Sequence, residues 1–128
     1  MITDYKNPYG KYNGNEADYI MRALDSESSH NRGFPWVTEF EDKFCKLSGA
    51  KYAIAVNSAT SGLHAALVAA GVSNGDEVIQ PSLTVIMNAM VTVACGAVPV
   101  FADICPKSYN VTAETIAPKI TKKTKAIM

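Results

Sequence analysis

From residue 52 onward the 128-residue chain repeats one pattern: a short apolar run, then a helical segment, with turn residues at each junction. A chain built this way lays successive runs side by side in one direction and covers them with helices, so the expected product is an α/β domain around a parallel sheet. The runs are Tyr52 to Val56, Glu77 to Gln80, Val98 to Ala102 and Lys125 to Met128. Between them, Thr60 to Ala70 carries Leu63, Ala66, Leu67 and Ala70 on one face and ends at Gly71. Asn74-Gly75-Asp76 turns the chain into the second run, Thr84 to Cys95 forms the next helix and Gly96 closes it. Thr112 suits the N-cap of a last helix running to about Ala117. The fourth run ends with the chain itself, and an apolar strand left with an open edge is a liability. The chain is therefore expected to be a fragment.

The first third reads differently. Met1 to about Gly14 has no apolar period and is expected to be an irregular arm, followed by a short helix near Glu16 to Leu24 and a loop from Asp25 to Gly33. A longer helix then starts after Gly33-Phe34-Pro35. Val37, Phe40, Phe44 and Leu47 recur at three- and four-residue steps, charged residues take the other faces, and Gly49 suits the stop.

Composition narrows the function classes. Lys+Arg and Asp+Glu balance at 12 each, so no net field gathers nucleic acid or anionic lipid, and neither is an expected partner. The apolar stretch from Leu83 to Cys105 is long enough to suggest a membrane span, but Asn88 interrupts it and Gly96 to Pro99 would break a spanning helix. The polar, tyrosine-rich start lacks the pattern of a secretory signal, which points to the cytoplasm. Cys45, Cys95 and Cys105 are odd in number and their spacing is unlike a zinc site, so reduced and mostly buried thiols are expected, with no metal.

The informative segment is Val56-Asn57-Ser58-Ala59-Thr60-Ser61-Gly62-Leu63, where an apolar run passes through small hydroxyl residues directly into a helix. The first amides of a helix have no intrahelical acceptor and the helix dipole adds partial positive charge, so a phosphate can be held there without a lysine. Thr60 and Ser61 offer hydroxyl donors, while Ala59 and Gly62 leave the backbone approachable. On spacing alone, ordinary N-capping by Asn57 or Ser58 accounts for the same residues equally well.

The stretch Asn57 to Leu67 resembles the segment of the DegT/StrS family of sugar aminotransferases that runs small-Gly/Ala-Thr-Ala/Ser-Ala-Leu-His. Other blocks are similar in the same order: Phe40-Glu41 with Phe44 and Gly49, Gly75 to Ile79 with Pro81-Ser82-Leu83-Thr84, Gly96 to Ile104, and Thr121 to Ile127. The resemblance implies an incomplete parallel-sheet α/β/α large domain of the fold-type-I aminotransferases that use pyridoxal phosphate (PLP). Residues 1–35 would be an arm, short helix and loop, and 36–128 the N-terminal part of the PLP-binding domain. It further implies that Ala59, Thr60 and Ser61 hold the cofactor phosphate, and that Val85 covers a face of the ring where an aromatic residue is more usual in the family. Val85 supplies less stacking area than an aromatic would. The acidic residue for the pyridine nitrogen and the lysine that binds PLP covalently are expected beyond residue 128, so no residue of this chain is assigned to catalysis. The implied reaction moves an amino group from an amino-acid donor to a nucleotide-linked keto sugar, in a homodimer when full length. A non-catalytic phosphate- or nucleotide-binding or regulatory module is the alternative.

The remaining conspicuous residues have plainer readings. His64 is expected to pack locally, Trp36 to act as an apolar anchor, and Lys119, Lys122, Lys123 and Lys125 to form a solvated face. Asp103 is equally a turn residue or a group facing the crevice.

Overall fold

The alternation from residue 56 onward closes into a small sheet in the computed structural model, which describes residues 14–25 and 35–128. Three strands, β1 (Glu77–Pro81), β2 (Val98–Ala102) and β3 (Thr124–Ile127), lie in the order β2-β1-β3. All pairing is parallel, Glu77 to Pro81 opposite Val98 to Ala102 on one side and Val78-Ile79 opposite Ala126-Ile127 on the other. The chain reaches these strands through α3 (Ala59–Ala69), α4 (Met87–Ala94) and the short α5 (Ala113–Ile116), which continues as a 3-10 turn over Ala117–Lys119. Thr112 caps α5 as the sequence suggests: it forms a capping box with Thr115, and the Thr112 amide donates to Thr115 Oγ1 at 3.0 Å.

The core lies between β1 and the pair α3 and α4. Leu67, Val72, Val78, Val91 and Ala97 form it, with Leu63, Cys95, Ala126 and Met128 packed at its margin. Side chains alternate across a strand, so Val78 and Gln80 face α3 and α4 while Ile79 faces away. All three are fully buried. Gly71, Gly75 and Gly96 end helices or turn the chain at positive φ. At Gly96 a side chain would also be crowded, because an added Cβ would stand 3.2 Å from the backbone of Asn74.

Two compact units divide the chain, Met1–Ala55 and Val56–Met128. In the first, α1 (Glu16–Asp25) and α2 (Pro35–Ser48) occupy the expected spans, and Gly49 follows α2 at φ 74°. Trp36 meets Tyr19 edge-on at 5.7 Å between ring centres, and the Arg22 guanidinium stands 5.3 Å from the centre of the Trp36 ring. The expected arm, up to residue 13, and the expected loop, residues 26–33, lie outside the described residues.

Three expectations change. Tyr52 to Val56 is not a strand: it carries no sheet pairing, and Ile54 is 83% exposed. A strand exists only through its neighbours, and none of β1, β2 and β3 pairs with this run. The Ala55 amide donates instead to Glu41 Oε1 at 2.7 Å. The helix expected from Thr84 begins at Met87, because Pro81 to Thr84 turns the chain off the end of β1. The cysteines are free as expected, but each is half-buried rather than buried. No helix among the described residues is long and apolar enough to cross a membrane, and Leu83 to Cys105 resolves into a turn, α4 and β2.

Candidate functional site

In a parallel unit the helices run back against the strands. α3 precedes β1, α4 follows it and the two helices pack side by side, so both begin at the carboxyl end of β1. Three groups singled out from the sequence gather at that end: the first turn of α3, the turn carrying Val85, and Asp103 just beyond β2.

The start of α3 is both capped and open. Ser58, in extended backbone, is the N-cap, and its Oγ accepts from the Ser61 amide at 3.1 Å. The Ser61 hydroxyl donates to Asn57 Oδ1 at 2.6 Å. The Ser58 and Ser61 hydroxyl oxygens are 3.0 Å apart. A hydroxyl has one proton, and that of Ser61 goes to Asn57, so Ser58 must be the donor of this pair. Both serine protons and the Ser61 amide are thus committed within the loop. The amides of Ala59 and Thr60 stand at the first two helical positions, where no intrahelical acceptor exists, and the Thr60 hydroxyl is the one hydroxyl of the first turn with no bond among the described residues. Of the expected phosphate ligands, the structure leaves Ala59 and Thr60 open and uses Ser61 internally. Gly62 is less demanding than expected, since an added Cβ would touch only Val56 at 3.5 Å.

Val85 is 64% exposed in the turn between β1 and α4. The turn is tied to the sheet by the Ser82 amide, which donates to the Ala102 carbonyl at 3.0 Å, and to α4 by the Asn88 amide, which donates to the Val85 carbonyl at 3.2 Å. An exposed aliphatic side chain at a rigid strand end can cover one face of a flat ring.

Nothing ionisable enters either helix start: Asn57 to Leu63 and Ser82 to Met90 contain no carboxylate, lysine, arginine or histidine. The two helix starts offer backbone and hydroxyl donors and an apolar side chain but no acid or base; the carboxylate at this end of the sheet is Asp103, just beyond β2. His64, Asp103 and the four lysines near β3 are all exposed, and no cluster of metal-ligating side chains exists among the described residues. Sequence reasoning missed the Asn57–Ser61 bond and the buried pair Gln80 and Thr92. The signal for the pair was Gln80 in the apolar run Val78 to Pro81 and Thr92 in α4, which is apolar apart from it and Asn88.

A sequence model of the DegT/DnrJ/EryC1/StrS aminotransferases matches residues 11–128. The GDP-perosamine synthase of Caulobacter vibrioides is 44% identical over 118 residues, which are 92% of this chain and 32% of that protein. Among solved structures, the aminotransferase from Psychrobacter cryohalolentis superposes with a TM-score of 0.84 at 37% identity, over 94% of this chain and 30% of that one. NtdA of Bacillus subtilis, with its bound cofactor PMP, gives 0.77 at 29% identity over 89% of this chain and 27% of that one. The chain thus spans about a third of the curated relative's length. The chain belongs to the DegT/DnrJ/EryC1/StrS aminotransferase family.

Proposed function

We propose that this chain supplies the cofactor-phosphate half of a PLP-dependent aminotransferase site that acts on a nucleotide-linked keto sugar. The observation that carries the reading is the open first turn of α3, where the Ala59 and Thr60 amides and the Thr60 hydroxyl converge without acceptors of their own. The donor set fits the group: a dianionic phosphate takes the amides and the hydroxyl, and Val85 at the same end of the sheet meets an apolar ring face. PLP, once bound, supplies an electron sink for bond-breaking at the amino-group carbon. The residues here bind and orient; they do not relay protons. The lysine that such chemistry requires is not among the groups at this site.

The keto-sugar reading rests on the 44% identity to a GDP-perosamine synthase, whose name states a sugar-nucleotide product. An amino-acid donor, a homodimer that completes the site, residues 36–128 as part of the large domain, and a cytoplasmic setting complete the proposal. The test is titration of the natural full-length protein with PLP and, separately, with pyridoxal, which lacks the phosphate. Phosphate-dependent binding that T60V weakens supports the reading. Equal binding of both ligands refutes it.

A further inference from the structure

The hydroxyl network at the start of α3 holds one proton that two acceptors can claim. Ser61 is the third residue of the helix, and helical side chains tilt toward the N-terminus, so its Oγ lies back over the first turn, where the Ala59 and Thr60 amides stand open. It reaches to 3.0 Å from Oγ of the N-cap Ser58. Ser61 is half-buried and Asn57 exposed, and the Ser61 proton goes to Asn57 Oδ1 at 2.6 Å. The distance identifies the donor. It falls in the O–H···O range and is shorter than amide N–H···O bonds usually are, so Asn57 presents its oxygen and Ser61 its proton.

A phosphate at the open amides would be the second acceptor. The Asn57 oxygen is neutral, and a bond of that kind is worth roughly 2- to 10-fold in an equilibrium, whereas a bond to a charged oxygen is worth roughly 10- to 100-fold. The phosphate therefore wins the proton, and its apparent affinity is reduced by the bond given up. The rest of the network need not move: the Ser61 amide donates to Ser58 Oγ and the Ser58 hydroxyl donates to Ser61 Oγ, and neither bond uses the Ser61 proton.

We propose that Asn57 sets the affinity of this site for the cofactor phosphate: its side-chain oxygen holds the Ser61 hydroxyl proton in the cofactor-free protein and competes with the phosphate for it. The inference rests on the cofactor reading above. A contact made only in the free state stabilises that state and weakens the ligand by the same factor. Removing the Asn57 oxygen therefore moves stability down and phosphate affinity up. A residue that only shapes the loop would move both down.

The experiment titrates the natural full-length protein with PLP and with pyridoxal, and follows thermal unfolding of its PLP-free form, for wild type, N57A, S61A and N57A/S61A. N57A should raise the ratio of PLP to pyridoxal affinity roughly 2- to 10-fold and lower the Tm. In the S61A background the same change should leave the ratio where S61A put it, since no proton remains to be contested. N57L, which keeps the outline of the side chain without its oxygen, should repeat the gain, and it decides the question if N57A does not fold. A ratio that N57A and N57L lower or leave unchanged overturns the inference, as does a gain that persists in N57A/S61A; both results leave the cofactor reading standing. Equal affinity of the wild-type protein for PLP and pyridoxal overturns both.

Discussion

Thr60 and Ser58 sit two residues apart, yet the structure gives them separable work, and exchanging each for a side chain without a hydroxyl should show it. Ser58 Oγ accepts from the Ser61 amide and pairs with the Ser61 hydroxyl. Ser58→Ala removes the only side-chain cap of α3, a loss worth about 1 kcal/mol within a usual range of about 0.5–2. Ser58→Gly should cost only a few tenths of that unit, because glycine leaves the cap position open to water. The Thr60 hydroxyl makes no bond among the described residues, and valine keeps its branched shape. Thr60→Val should therefore change stability by less than about 0.5 kcal/mol. Its effect falls on the phosphate: one hydrogen bond to a charged group is worth about 1.5–3 kcal/mol, or roughly 10- to 100-fold in affinity. The assay pairs urea unfolding of the PLP-free full-length protein with PLP and pyridoxal titrations. Ser58→Ala should move the unfolding midpoint, and Thr60→Val the ratio of PLP to pyridoxal affinity. The reasoning fails if Thr60→Val costs as much stability as Ser58→Ala, or if the affinity ratio survives the loss of the Thr60 hydroxyl.

Other expectations follow from the packing and the titrating groups. Leu67 is buried among Val72, Val78 and Val91, so Leu67→Ala should cost about 2–5 kcal/mol in denaturant unfolding; a loss under about 1 would mean that α3 does not pack on β1 as described. The Asp76 carboxyl is held below its ordinary range by the Ser73 amide and hydroxyl at 2.8 and 3.0 Å. A depressed carboxylate stabilises the fold above its unfolded pKa of about 3.9 and loses that contribution as pH falls through the lower folded value. Asp76→Asn should therefore flatten the acid limb of the stability curve and leave less effect at the lowest pH; an unchanged limb refutes the bond. The Cys105 thiol is lowered by the Ser108 and Lys107 amides and the Ser108 hydroxyl. Its alkylation by iodoacetamide, followed by peptide mass spectrometry, should rise at a pH below the ordinary thiol value of about 8.5. Its thiolate likewise adds stability that is lost as pH falls through the folded value.

Local pattern carried much of this molecule. The three- and four-residue steps of Val37, Phe40, Phe44 and Leu47 marked α2, and Thr112 marked the start of α5. Three apolar runs became strands within a residue or so of their expected limits, and the small hydroxyl residues before Leu63 marked the α3 turn. These features are decided by side-chain period, caps and turn residues within one stretch of chain, so they are readable from it. The order β2-β1-β3, the unpaired state of Tyr52 to Val56, the withdrawal of Ser61 into a bond with Asn57, and the inward turn of Thr92 toward Gln80 were not. Strand order and helix rotation depend on partners distant in sequence, and a helix apolar on nearly every side, such as α4, holds no local preference for the face it buries. The sequence by itself determined the helices and three of the four expected strands, and marked the helix start at which an anion is expected to bind. Tertiary structure decided which amides and hydroxyls stay open there, because a donor is free or spent only once its neighbours are in place.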